Sequence, residues 1–146
     1  MNITVRPAAD SDIPRIFEIA QNNAQNPWKE HLFEAELHNR YACLLCADAG
    51  GEMIGFCDAH IVLDNAHINE LCVESGHRKR GAAAALVCEI IEKAEASGCS
   101  TVTLEVREQN TAARALYEKL GFNLAGKRAN FYRDPPDDGL TMLKVI

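Results

Sequence analysis

The sequence predicts an α/β domain, a sheet with helices packed against it, in the order β-α-α-β-β-β-α-β-α-β-β. Two apolar periodicities carry this reading: segments that alternate with a period of two are interleaved with segments that repeat every three to four residues. Most glycines and prolines fall between those segments, where turns and helix ends need them. Length adds the third observation, since 146 residues make a single domain, 1–146, with one core. At 47% hydrophobic and 25% charged residues, the composition is that of a globular domain able to bury this core without covalent staples.

Residues 2–6 alternate, with Ile3 and Val5 on one face, and read as a strand. Asp10 is placed to cap a helix whose Ile13, Ile16, Phe17 and Ala20 recur at helical spacing. Asn26-Pro27 offers a second helix start, followed by Trp28, Leu32, Phe33 and Leu37. Strands over 41–48 and 53–64 flank Ala49-Gly50-Gly51-Glu52, a hairpin signature, and Asp64-Asn65 turns the chain into a strand over 66–73.

The polar stretch 74–80 and Gly81 precede a long helix with the stripe Ala83, Leu86, Val87, Ile90, Ile91 and Ala94, which Gly98 stops. Over 101–107, alternation puts Val102, Leu104 and Val106 on one face and Thr101, Thr103, Glu105 and Arg107 on the other. A helix over 110–120 rests on Ala113, Leu116, Tyr117 and Leu120 and ends at Gly121. Two final strands, over 122–127 and 140–145, enclose a loop that contains Arg133-Asp134-Pro135-Pro136-Asp137-Asp138-Gly139.

Several classes are excluded. The longest unbroken apolar runs, 41–47 and 82–88, fall far short of the ~20 residues of a membrane helix. The N-terminus lacks the basic start and apolar stretch of a signal peptide, so the chain reads as cytoplasmic, with no membrane partner. A net charge of −6 argues against direct nucleic-acid binding and favours a basic peptide or amine. The six cysteines sit mostly in apolar stretches and read as reduced thiols. Cys43-x-x-Cys46 lacks a second pair, and His31, His38, His60, His67 and His77 show no ligand spacing. They read as surface or loop residues, and no metal is expected.

The sharpest local feature is a strand followed by Arg78-Lys79-Arg80-Gly81-Ala82-Ala83 and then a helix. Small residues let backbone approach a ligand, and free amides at a helix start hold phosphate oxygens. The segment is neither a Walker loop nor a three-glycine dinucleotide fingerprint. By itself it is either a pyrophosphate cradle or a solvated basic helix start.

Residues 69–122 resemble the acetyl-CoA core of the GNAT superfamily of N-acetyltransferases. The family's Arg/Gln-x-x-Gly-x-Gly/Ala loop is matched by Arg78-Lys79-Arg80-Gly81-Ala82-Ala83, with Ala83 where a second glycine is common. Its strand, Asn and Leu-Tyr-x-x-Leu-Gly-Phe helix are matched from Leu104 through Asn110 to Leu116-Tyr117-Glu118-Lys119-Leu120-Gly121-Phe122. A narrower resemblance, over nearly the whole chain, is to the bacterial branch that acetylates the N-terminal alanine of a ribosomal protein. It is carried by Pro27-Trp28, Leu104-Glu105-Val106-Arg107, Arg128-Ala129-Asn130-Phe131-Tyr132 and Met142, with Phe131 where a tyrosine is more usual.

The resemblance implies a mixed, mostly antiparallel sheet of about six to seven strands flanked by about four helices, whose splayed middle strands hold acetyl-CoA. It implies backbone pairing of Leu71, Cys72 and Val73 with the pantetheine arm and an oxyanion-stabilising N–H there. Arg78, Lys79, Arg80, Gly81, Ala82, Ala83 and Ala84 would surround the pyrophosphate, and Asn110 would add a cofactor contact. Glu105 resembles the general base and Tyr117 the general acid. The partner implied is the N-terminus of a basic ribosomal protein.

The residues support a mild base, because an α-amine has a pKa of about 7.7–8.0 against about 10.4 for lysine. Arg107, two residues from Glu105 on the same strand face, is a complication, since an ion pair would lower the carboxylate's basicity; an ordinary Glu–Arg pair on a solvated strand face is the alternative reading. Tyr117 lies on an apolar helix stripe. A phenol of pKa about 10 is a poor acid for a thiolate near 8.5, so hydrogen bonding to the departing sulfur is the expected role. Trp28, Phe131 and Tyr132 wall a peptide pocket or pack in the core. Asp134, Asp137 and Asp138 attract a basic peptide or make a soluble turn. Acceptors of another kind, a small amine or a lysine, and a non-catalytic acetyl-CoA-binding module are the competing readings.

Overall fold

The computed structural model describes residues 2–146. Seven strands, β1 (Ile3–Pro7), β2 (Ala42–Ala49), β3 (Glu52–Val62), β4 (Asn65–Val73), β5 (Thr101–Arg107), β6 (Asn123–Arg133) and β7 (Pro136–Val145), form one sheet. The helices are α1 (Ile13–Asn23), α2 (Glu30–Leu37), α3 (Ala82–Ala96) and α4 (Thr111–Lys119). The strand order is β1-β2-β3-β4-β5-β7-β6, and only β4 and β5 run parallel. Element order and sheet type are those the sequence predicts.

Helices cover both faces of the sheet. α1 and α2 bury Ile13, Ile16, Ile19 and Phe33 against Leu44, Cys46, Phe56 and Cys72. On the other face α3 lays Leu86, Val87 and Ile90 over Leu45, Ala59, Val102 and Leu104, and α4 adds Tyr117 to that core. Period-two alternation explains how one strand serves both layers: Cys46 faces the first core while Leu45 faces the second.

Local chemistry sets the boundaries and corrects some expectations. Gly50 and Gly51, both at positive φ (60° and 82°), make the two-residue β2–β3 turn. Asp10 opens a single 3-10 turn (Asp10–Asp12), and it is Asp12 that accepts the Ala9 N–H, at 2.8 Å, before α1 starts at Ile13. α2 begins at Glu30, beyond Pro27-Trp28, so Trp28 lies ahead of the helix and packs its ring 5.3 Å from Phe33. The expected loop at 133–139 is mostly strand. β6 and β7 run on to a tight turn at Asp134-Pro135, and the Asp138 carboxylate accepts the Asn130 N–H at 2.7 Å.

One irregularity positions the site. In β4, Glu70 pairs with Asp58 and Ile68 with Ala59, so Asn69 is an extra residue bulged out of the ladder. β4 pairs with β5 only over Asn65–Ile68 against Thr101–Leu104. Beyond the bulge the two parallel strands separate, and Leu71, Cys72 and Val73 pair with β3 alone.

Candidate active site

A cleft of about 1140 Å³ opens where β4 and β5 part. Its walls include Leu71, Cys72 and Val73 of β4, Glu105 and Arg107 of β5, the start of α3, and Asn110 and Tyr117 of α4. Separation leaves the β5-facing backbone edge of 71–73 free to pair with an extended ligand. Gly55 lets β3 lie close behind that edge, since a Cβ there would stand 2.8 Å from the Cys72 carbonyl oxygen.

At one end the chain enters α3 through Gly81, whose φ of +89° suits glycine. The first intrahelical bond runs from the Ala85 N–H to the Gly81 carbonyl, 2.9 Å, so the amides of Ala82, Ala83 and Ala84 point out of the helix start. Arg78, Lys79 and Lys119 line this end. Arg80 belongs to the same loop but does not line the cleft. Asn110 caps α4, accepting the Ala113 N–H at 3.2 Å, while also lining the cleft. Amides, a helix dipole and cations make this end suited to a diphosphate.

Three carboxylates, Glu70, Glu105 and Asp137, also line the cleft, and Asp137 accepts the Gln109 N–H at 3.2 Å, next to Asn110. Glu105 is largely buried, its side chain 17% exposed, and accepts the Thr141 hydroxyl at 2.8 Å. Glu105 and Arg107 do not form an ion pair. Arg107 donates instead to the carbonyls of Pro135 (2.7 Å) and Asp134 (3.2 Å) and stacks 4.2 Å from the Tyr132 ring centre. Those carbonyls converge at the hairpin turn, a tertiary contact that strand parity cannot reveal. The cation facing Glu105 is Arg128, at 3.9 Å and well exposed.

Tyr117 is buried edge-on against Phe122, ring centres 5.7 Å apart, with its phenol held above the ordinary range by burial. Cys72 is buried too, and its thiol is pushed up to about 12. Of the aromatic and acidic peptide-pocket candidates, Tyr132 lines the cleft, whereas Trp28, Phe131 and Asp134 do not. Phe131 is 41% exposed, packed on Tyr132 with ring centres 5.0 Å apart. Asn26 Nδ2 donates to the Asp134 carbonyl at 2.9 Å, bridging the α1–α2 loop to the β6–β7 turn across the rim.

Sequence reasoning missed Glu70, whose carboxyl burial raises to about 7. The available signal was Asn69-Glu70, two polar residues that interrupt the alternation of β4 as a bulge does. Of the histidines, His60 and His67 are half-buried in β3 and β4, while His31 and His38 are exposed. His60 bonds Glu36 at 2.6 Å, and His67 bonds Thr103 at 2.8 Å.

A sheet parted beside a helix start of this kind is an acyltransferase-type fold, and the chain belongs to the acetyltransferase (GNAT) family, whose model matches residues 13–122. Among its relatives is the ribosomal protein bS18-alanine N-acetyltransferase of Escherichia coli K12, 35% identical over 136 residues, covering 93% of this chain and 90% of that one. The crystal structure of the ribosomal-protein-S18-alanine N-acetyltransferase from Escherichia coli superposes with a TM-score of 0.91 at 32% identity, over 99% of this chain and 94% of that one. Arabidopsis thaliana NAA60, solved with acetyl-CoA, shares the fold at a TM-score of 0.90 and 24% identity, over 99% of each chain.

Proposed function

We propose that the protein transfers the acetyl group of acetyl-CoA to the N-terminal α-amine of a ribosomal protein, with alanine as the acceptor residue, by direct amine attack. The observation that carries this reading is the parting of β4 from β5, which puts the free backbone of Leu71, Cys72 and Val73 in one cleft with the start of α3 and the carboxylates Glu70 and Glu105. The helix start suits a diphosphate and the carboxylates an ammonium group. Relatedness to alanine N-acetyltransferases at 35% identity supports the acceptor.

Acetyl-CoA supplies an acetyl group already activated as a thioester. Leu71, Cys72 and Val73 offer free backbone to an extended arm, and an N–H there polarises a carbonyl as an oxyanion donor. Glu105, held by Thr141, accepts the amine proton directly or through water. Tyr117 donates a hydrogen bond to the departing sulfur, and with its phenol held high, proton transfer comes late. Cys72 is no nucleophile, because a thiol at about 12 is almost wholly protonated near neutrality. The Asn26–Asp134 bridge favours a thin, extended chain end over a side chain in mid-peptide. Six free thiols fit the cytoplasmic compartment in which ribosomal proteins are made.

The test is mass spectrometry of a mixture incubated with acetyl-CoA: a basic peptide with a free N-terminal alanine, its N-blocked counterpart with an internal lysine, and polyamines. Acetylation of the alanine amine alone is expected. Acetylation of only the polyamine or the lysine overturns the acceptor, and cofactor binding without any product favours a binding module.

A further inference from the structure

Behind the cleft, on the sheet face covered by α2, three ligating side chains converge. Asp58 and His60 are two apart on β3 and so share a face, and Glu36 comes from the last turn of α2. One donor atom from each lies within 4.8 Å of the other two. His60 Nε2 is 2.6 Å from Glu36 Oε2. Asp58 is wholly buried, at 0% exposure, and its Oδ1 receives no N–H or hydroxyl; it faces the Glu36 carboxyl, which together with burial raises the Asp58 carboxyl to about 9. Its Oδ2 receives only a long contact from Asn69 Nδ2, at 3.5 Å.

Two carboxyl groups facing one another out of water require either a shared proton or a cation between them. The third ligand decides which cation. We propose that Glu36, Asp58 and His60 form a binding site for a first-row divalent transition ion, with Zn²⁺ as the best fit. One imidazole nitrogen and two carboxylate oxygens are a zinc donor set, whereas Mg²⁺ and Ca²⁺ take oxygen alone. Three protein donors leave a fourth position for water, on the side where His60, 36% exposed, reaches solvent. The donors need to close from 4.8 Å to the spacing set by bonds of about 2.0–2.2 Å, a matter of side-chain rotation. A bound ion takes the place of the proton that Glu36 and Asp58 otherwise share and ties α2 to β3. The inference is independent of the proposed acetyl transfer.

The experiment uses the whole protein, stripped with a chelator and titrated with ZnCl₂ against a chromophoric competitor, with MgCl₂ in parallel. One Zn²⁺ per chain is expected, with Kd below about 1 μM and a rise in Tm of ~4 °C or more at saturation. Mg²⁺ at millimolar concentration leaves Tm unchanged. Asp58→Asn keeps the shape and can still hydrogen-bond Glu36, and the half-exposed His60→Gln leaves the core intact; each loses binding at least tenfold. Absence of stoichiometric zinc binding overturns the proposal and leaves a proton-sharing carboxyl pair. Zinc binding that survives both substitutions overturns it equally, since the ion then sits elsewhere.

Discussion

Glu105 and Tyr117 both line the cleft, and the roles proposed for them predict different kinetic signatures. Glu105→Gln keeps the Thr141 hydrogen bond but cannot take a proton, so kcat/KM should fall about 10²–10⁴-fold. Tyr117→Phe removes one hydrogen bond to a developing thiolate, a loss of about 1.5–3 kcal/mol, so kcat should drop ten- to a hundred-fold with KM for acetyl-CoA unchanged. Full turnover by Tyr117→Phe would remove it from the mechanism. The thiols give a third residue-scale test. Burial pushes Cys46 and Cys72 up to about 12, while Cys88 is exposed. A thiol reagent at pH 8 should therefore modify Cys88 rapidly and leave Cys72 intact until the protein unfolds, as peptide mapping would show. Rapid labelling of Cys72 would reopen an acyl-cysteine route.

Backbone geometry at the scale of elements is what turns a sheet into a transferase cleft. Gly55→Ala forces a Cβ to within 2.8 Å of the Cys72 carbonyl, so β4 must shift along the edge offered to pantetheine. The expected result is a raised KM for acetyl-CoA together with lower stability; an unchanged KM would detach that edge from cofactor binding. The start of α1 carries a pH-dependent tie. Arg6 bonds Asp12 at 2.7 Å and 2.9 Å and holds its carboxyl below the usual range. The folded pKa is depressed, so this stabilisation is complete above the unfolded value of about 3.9 and is lost as pH falls through the folded value. Asp12→Asn should lower Tm at pH 7 and have little effect near pH 2, by thermal unfolding at both.

Most elements were legible because their faces differ: Val102, Leu104 and Val106 are at most 5% exposed, and the alternate residues of β5 are only half-buried. The start of α3 was legible for a related reason, since Gly81 and the alanines after it are local in sequence. Features made by register or by distant chain were not. The Asn69 bulge moves Glu70 opposite Asp58, and the β6–β7 turn captures Arg107. Asp58, Glu36 and His60 meet only after α2 has docked. Of the aromatics read either as pocket wall or as packing, Tyr132 lines the cleft and Trp28 packs on Phe33, a choice that distant chain makes.

For the whole molecule, one cleft has to hold two substrates at once. Cations and carboxylates both line it although the chain as a whole carries −6, and no helix among the described residues is long and apolar enough to cross a membrane. A shared cleft requires both substrates to be bound before the acetyl group moves. The most direct test is an initial-velocity series in which acetyl-CoA and an alanine-ended basic peptide are varied together. Double-reciprocal lines that intersect are the predicted result, with a ternary complex and no acetylated enzyme. Parallel lines, together with an acetylated cysteine in the protein, would contradict direct transfer through this cleft.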